Sequence, residues 1–329
     1  MKITWDFLKE QMENLVPSMS CDTDNFDEWK KSARQKLTEL LGIDKLVKCD
    51  PELEIDFEEE FDTFKEYRIT FQSEKGYRVP CHLWLPKGVE KPPVIICMQG
   101  HSSGMHISMG RPKTDGDKQD VISGDRDFCV RGIKEGFATI ALEQRNFGEC
   151  GFTNCYEADM TSLVMGRTTI GARVWDVSRL IDVLEESFAD ILDLDNICCM
   201  GNSGGGTATI YTAALEDRIV LAMPSCAMCT YKDSIVAMKH CSCNYVPGIA
   251  AYFDMGDLMA MACPKYYVQV SGKTDPIFPL EGARKMFEAG KKGYETKGLS
   301  DKCALVEGDG GHRFYADDAW PVVHKFIGK

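Results

Sequence analysis

Positive charge is in short supply in this sequence. Over 329 residues, 38 lysines and arginines stand against 51 aspartates and glutamates, a formal net charge of −13. That balance excludes a nucleic-acid or anionic-membrane surface, because either would need a basic patch. It also gives no general pull on anionic substrates, so a small-molecule substrate is expected. Long apolar runs are missing as well: none approaches the ~20 residues of a membrane-spanning helix. The opening stretch MKITWDFLKEQMENLV carries charges within its first ten positions and lacks the apolar core of a signal peptide, so a cytoplasmic protein is expected. No internal repeat and no low-complexity linker divides the chain. Neither G-x-x-x-x-G-K-[ST] nor a dinucleotide G-x-G-x-x-G at a strand–helix turn is present, and no cofactor is expected. Nothing in the sequence fixes an oligomeric state.

Cysteine, by contrast, is plentiful. Fifteen are present, but the count is odd and no export signal accompanies them, so most are expected to be reduced, small buried hydrophobes. Cys226 and Cys229 have C-x-x-C spacing, and His240, Cys241 and Cys243 follow closely, so spacing alone would allow a zinc site here. A structural zinc needs four converging ligands, and C-x-C is unusual for one. No metal is therefore expected.

Residues 1–60 read as a helical and acidic extension. Phe26, Trp29, Ala33, Leu37, Leu40 and Leu41 fall on one helical face, and Gly42 stops the helix. The segment PELEIDFEEEF alternates Leu53, Ile55 and Phe57 with carboxylates, which predicts an edge strand. In residues 61–329, "YRITFQ" and "YRVPCHLWLP" read as a hairpin with Tyr67, Ile69 and Phe71 on its inner face. Apolar runs at 93–100, 137–144, 196–202, 218–225, 266–272 and 303–308 then alternate with helical patterns at 171–188, 204–215, 280–289 and 316–327. Continuous apolar strands between helices predict an α/β domain with a mostly parallel sheet covered on both faces. Polar insertions at about 101–127, 145–170 and 226–263 follow strand carboxyl ends, where open α/β sheets carry their sites.

One of those ends reads "CCMGNSGGGT". Gly201-Asn202-Ser203-Gly204-Gly205 is a G-x-S-x-G pentapeptide between a strand and a helix, the context of a nucleophile elbow. The turn is so sharp that flanking side chains would clash, which explains the glycines. Ser203 would be held exposed at the start of the following helix, whose free amides and dipole face the reacting group.

A serine hydroxyl is a weak nucleophile until a base takes its proton, and a histidine oriented by a carboxylate is the usual solution. The expected chain order is Ser, Asp, His. "YYVQVSGKTDPIFP" puts Asp275 just past a strand, with Asp233, Asp254, Asp257 and Asp309 as alternatives. "CALVEGDGGHRF" puts His312 past the last strand, whereas His82, His240 and His324 lie in a hairpin, an insertion and the terminal helix. Developing negative charge on the substrate oxygen needs two donors. The N–H of Gly204 and, from the loop after "VIICMQG", the N–H of His101 are expected to supply them. Tyr245 and Phe253, in the apolar insertion "YVPGIAAYFDMGDLMAMA", are candidates to line an acyl or sugar pocket.

The segments "MQGH", "GFATIALEQRNFGE", "GRTTIGARVWDVSRLIDVL", "NICCMGNSGGG", "CNYVPGI", "SGKTDPIFP" and "GDGGHRF" cover most of residues 67–329. Through them the chain resembles the α/β-hydrolases, and among these the acetyl xylan esterase-like group related to cephalosporin deacetylases and dienelactone hydrolases. The resemblance implies a serine esterase, with carbohydrate deacetylation as one task and an acetylated sugar as a possible substrate. Where many such enzymes carry Asp-x-Arg-Gly-x-Gly-x-Ser after the fourth strand, this chain reads Glu143-Gln144-Arg145-Asn146-Phe147-Gly148-Glu149.

Two other functions fit parts of the sequence. A peptidase of the prolyl-oligopeptidase type shares the catalytic half, but the chain lacks room for the extra propeller domain. A hydrolase fold kept as a binding or metal-sensing module would make the cysteine-rich insertion its working part.

Overall fold

The computed structural model describes residues 2–151 and 154–328. Positions 152 and 153 of the expected 145–170 insertion therefore lie outside the described residues.

Two helices lead, α1 (Thr4–Glu13) and α2 (Phe26–Leu41). On α2, Phe26, Trp29, Ala33, Leu37 and Leu41 are buried, and Gly42 ends the helix with φ 69°. Nine strands follow among the described residues: β1 (Glu54–Glu60), β2 (Phe64–Glu74), β3 (Tyr77–Pro86), β4 (Pro93–Met98), β5 (Ala138–Leu142), β6 (Asp193–Asn202), β7 (Ile219–Ser225), β8 (Tyr266–Gly272) and β9 (Cys303–Gly308). Between and after them run α3 (Asp115–Ile122), α4 (Phe128–Lys134), α5 (Tyr156–Val164), α6 (Thr169–Ser187), α7 (Gly204–Leu215), α8 (Met255–Ala262), α9 (Leu280–Thr296) and α10 (Ala316–Ile327).

All nine strands join one sheet in the order β1-β2-β3-β5-β4-β6-β7-β8-β9. The first three pair antiparallel with one another, and β3 pairs antiparallel with β5. From β5 to β9 every pairing is parallel. The acidic segment forms the edge strand β1, but both of its faces are exposed. Its carboxylates face basic side chains: Lys65 pairs with Glu58 at 2.6 Å and Arg78 with Glu54 at 3.2 Å.

The apolar strands are buried on both faces, as their composition requires. Along β4, Val94, Ile96 and Met98 enter one core while Ile95 and Cys97 enter the other. The first core takes in residues of α2, α6, α7, α8 and α9; the second is filled from α4 and α10, with Phe128 and Trp320 at its centre. The extension meets the sheet-covering layer where Gly171 of α6 faces α2. A Cβ on Gly171 would stand 2.3 Å from the Leu41 carbonyl oxygen. No helix among the described residues is long and apolar enough to cross a membrane.

Strand β4 has β5 on one side and β6 on the other. After β4 the chain moves to one flank, and after β5 it returns to the other. That reversal opens a crevice beyond the carboxyl ends of β4 and β6, where doubly wound sheets bind ligands. His101 follows the first of these ends and Ser203 the second.

Candidate active site

Ser203 sits between β6 and α7 with φ 56° and ψ −122°. For a residue with a side chain that conformation costs on the order of 1–3 kcal/mol, and it persists only where the surroundings impose it. Here two close approaches do so. A Cβ on Gly201 would lie 2.5 Å from the Gly205 carbonyl carbon, and one on Gly205 would lie 2.0 Å from the Met98 oxygen. Strand and helix thus touch backbone to backbone. The Ser203 N–H donates to the Ser225 oxygen at 2.9 Å, and the Ser203 carbonyl accepts from Thr207 N–H at 2.8 Å.

The loop after β9 carries His312 and the loop after β8 carries Asp275. His312 Nδ1 is 2.9 Å from Asp275 Oδ2. The other carboxylate oxygen accepts from the amides of Ile277 at 2.8 Å and Phe278 at 3.2 Å. Burial works to raise the Asp275 pKa, but His312 and these two amides outweigh it and hold the carboxyl below its ordinary value. The rings of Phe278 and His312 stack, with centroids 6.0 Å apart and planes 16° from parallel. The alternative aspartates are engaged elsewhere. Asp254 and Asp257 cap α8, Asp309 pairs with Lys273, and Asp233 accepts from the Thr230 hydroxyl.

Ser225 stitches the serine to the histidine loop. Its carbonyl takes the Ser203 amide, while its hydroxyl contacts Asn202 Oδ1 at 3.0 Å and the Arg313 oxygen, next to His312, at 3.4 Å. Cys226 Sγ donates to the same Arg313 oxygen at 3.1 Å, and burial pushes its thiol up to about 12. Ser203 Oγ forms no hydrogen bond to a described residue, so the serine–histidine contact is open in this structure. Such contacts often close only with substrate in place.

Gly204 follows the serine directly, and the loop after β4 packs on that serine, since a Cβ on Gly100 would stand 3.0 Å from the Ser203 Cβ; neither the Gly204 nor the His101 amide donates to another described residue. Gly204 opens α7, so its N–H is one of the helix's orphan donors. The His101 ring lies against it: a Cβ on Gly204 would be 2.9 Å from His101 Nδ1.

The pocket candidates fare differently. Tyr245 is 38% exposed, and its hydroxyl donates to the Ile235 oxygen at 3.0 Å. Phe253 does not line an open pocket. It is fully buried in the first core with Met255 and Leu258, because the apolar insertion folds inward as packing. The cysteine-rich insertion also separates. Cys226 faces Asp275 and His312, Cys229 Sγ is 3.7 Å from the Pro279 oxygen, and His240 contacts the Ser234 hydroxyl at 3.3 Å. Cys241 and Cys243 instead turn toward His101.

The divergent loop after β5 is held by its own set of contacts. Asn146, at a glycine position of the common pattern, has φ 69°, which asparagine tolerates better than most side chains. Arg145 Nε is 2.7 Å from Asp176 Oδ2 and Nη1 is 2.6 Å from Glu74, with the guanidinium 4.2 Å over the Tyr77 ring. Buried Glu143 accepts the Met105 amide at 3.2 Å and the Glu149 amide at 3.2 Å, joining the loops after β4 and β5. Burial drives its pKa up to about 7 against those two bonds. Neither Glu143's bridging role nor Phe278's stacking could be read from the sequence, since both depend on loops meeting across the sheet end.

Comparisons with known proteins agree with this architecture. Residues 94–230 match the model of a family described as glucuronyl esterase of fungi. YtaP of Bacillus subtilis (strain 168), provisionally named a hydrolase, is 25% identical over 243 residues, 71% of this chain and 78% of that protein. A Bacteroides fragilis NCTC 9343 protein provisionally named an acetyl xylan esterase superposes with a TM-score of 0.77 at 15% identity, covering 94% of this chain and 83% of that one. A glucuronoyl esterase from Solibacter usitatus gives 0.68 at 15% identity, covering 96% and 98%. Acetyl xylan esterase 1 from Thermoanaerobacterium sp. JW/SL YS485 gives 0.60 at 18% identity, covering 97% of both chains. The chain has the α/β-hydrolase fold.

Proposed function

We propose that this chain is a serine carboxylic-ester hydrolase that removes small acyl groups, acetyl foremost, from carbohydrate or other small esters. Ser203 Oγ attacks the ester carbonyl while His312 takes its proton. The oxyanion is met by the amides of Gly204 and His101. His312 then protonates the departing alcohol, leaving an acyl-serine, and a water activated by the same imidazole releases the acid and restores the hydroxyl. Asp275 orients the ring and stabilises its charged form.

The observation that carries this reading is the 2.9 Å bond from His312 to buried Asp275, on a loop tied through Ser225 to the strained Ser203. The carbohydrate part of the reading is supported by the esterases among the similar proteins. The family match over 94–230 favours a second substrate class, esters of a uronic acid carboxyl, in which the sugar supplies the acyl side. Turnover of p-nitrophenyl acetate, acetylated sugars and methyl uronates by wild type and Ser203→Ala tests both. Acetyl-ester turnover lost in the variant supports the reading. Equal turnover in the two proteins, or cleavage of amides in preference to esters, overturns it.

A further inference from the structure

Beside the nucleophile, four side chains from three insertions converge without an assigned purpose. His101 follows β4, Cys155 precedes α5, and Cys241 and Cys243 lie ahead of α8. Their Nε2 or Nδ1 and Sγ atoms all lie within 4.8 Å of one another. His101 Nε2 is 3.2 Å from Cys243 Sγ, and the Cys243 and Cys241 sulfurs are 3.4 Å apart. Around a tetrahedral zinc, with Zn–S of about 2.3 Å and Zn–N of about 2.0 Å, neighbouring ligand atoms stand roughly 3.5–3.8 Å apart. The four atoms are close enough together to share one such ion with small side-chain shifts. Cys155, Cys241 and Cys243 form no disulfide, so none accounts for the cluster.

A second observation comes from charge. Arg173 on α6 is 1% exposed; the buried Asp159 carboxylate acts on it only from beyond ion-pair distance, with its oxygens taken by Asn146, Thr169 and Ser242, whereas Cys243 and Cys155 are the stronger opposing groups. Its Nε and Nη2 donate to the Arg145 oxygen at 3.2 and 2.8 Å, its guanidinium lies 4.1 Å over the Phe147 ring, and Nη1 points at Cys243 Sγ at 3.6 Å. A buried cation needs a counter-charge close by. Three thiolates, one neutral imidazole and Zn2+ sum to one negative charge, which Arg173 neutralises. Phe147 packs edge-on to the His101 ring at 4.8 Å and closes a small apolar shell with Cys155 and Cys243.

We propose that Cys155, Cys241, Cys243 and His101 bind one zinc ion in a closed Cys3His shell. Four protein ligands leave no open position, so the ion is structural. Binding exchanges the thiol protons for the metal and releases them to solvent. The ion would tie together the loops after β4 and β5 and the insertion ahead of α8, and so fix the backbone of His101 next to Ser203. The proposal stands on the cluster alone and does not depend on the esterase reading.

Metal analysis of protein purified without chelator tests it, compared with Cys155→Ser, Cys241→Ser and, as a control, Cys303→Ser in β9. About one zinc per chain in wild type and Cys303→Ser, falling at least fivefold in the other two, is the expected result. Should those variants fail to fold, Co2+ loaded into the wild-type chain keeps the test open. Strong sulfur-to-cobalt charge-transfer absorption with intense tetrahedral visible bands supports the site, and a weak octahedral spectrum overturns it. Wild-type protein lacking metal with its thiols free to a thiol reagent, a disulfide among these cysteines, or zinc retained by both variants would each overturn it too. Ester turnover measured in parallel separates this outcome from the failure of the catalytic reading.

Discussion

His312 Nδ1 and Asp275 Oδ2 stand 2.9 Å apart, and the Asp275 side chain is fully buried beneath the ring. Among the described residues the carboxylate pairs with no other cation, so its position is explained by the imidazole it orients.

Asp275→Asn keeps the shape but no longer enforces the tautomer with Nε2 free to accept the Ser203 proton. Ester turnover (kcat) is expected to fall on the order of 10^4-fold with little change in KM. The same substitution has a signature in acid. Because the folded Asp275 titrates below its ordinary 3.8, the stability it contributes is present above that pH and lost as pH falls through its folded value. The variant's acid unfolding curve should lack that component. Steady-state kinetics and a pH series of thermal melts check both halves.

Gly205→Ala is expected to destabilise the fold by about 3 kcal/mol or more, since its Cβ would be driven to 2.0 Å from the Met98 oxygen, a backbone atom that cannot step aside. Chemical denaturation read by circular dichroism measures the loss. Gly76→Ala, where a Cβ would meet nothing within 4 Å but φ is 82°, is the milder comparison.

Glu143 predicts a pH dependence of opposite sense. Burial favours its neutral form in the folded state, with a pKa of about 7 against an ordinary 4.5. The stability this confers is complete below pH 4.5 and lost as pH rises through 7. Glu143→Gln should gain on wild type across that window by up to about 3 kcal/mol. Melting temperatures of both proteins from pH 4 to 8 test it, and parallel profiles would contradict it.

Much of this was legible in the sequence where local pattern and chain order carry the information. The apolar runs gave the strands and their double-sided burial, and the glycine-flanked Ser203 gave the elbow. The strand-end positions of Asp275 and His312 gave the pair now seen bonded. What could not be read depends on loops meeting in space. Phe253 looks like a pocket residue because its insertion is apolar, yet the same apolarity folds it into the core. Cys226, Cys229 and His240 look grouped with Cys241 and Cys243 by spacing. The chain sends them apart and brings in Cys155 and His101, which lie 86 and 140 positions before Cys241.

Whether Ser203 is an activated nucleophile is read out by an active-site-directed fluorophosphonate and peptide mass spectrometry. One adduct is expected, on the peptide containing Ser203, absent in Ser203→Ala and formed far more slowly in Asp275→Asn. A folded wild-type protein that takes no label at Ser203, or labelling that persists in Ser203→Ala, would contradict it.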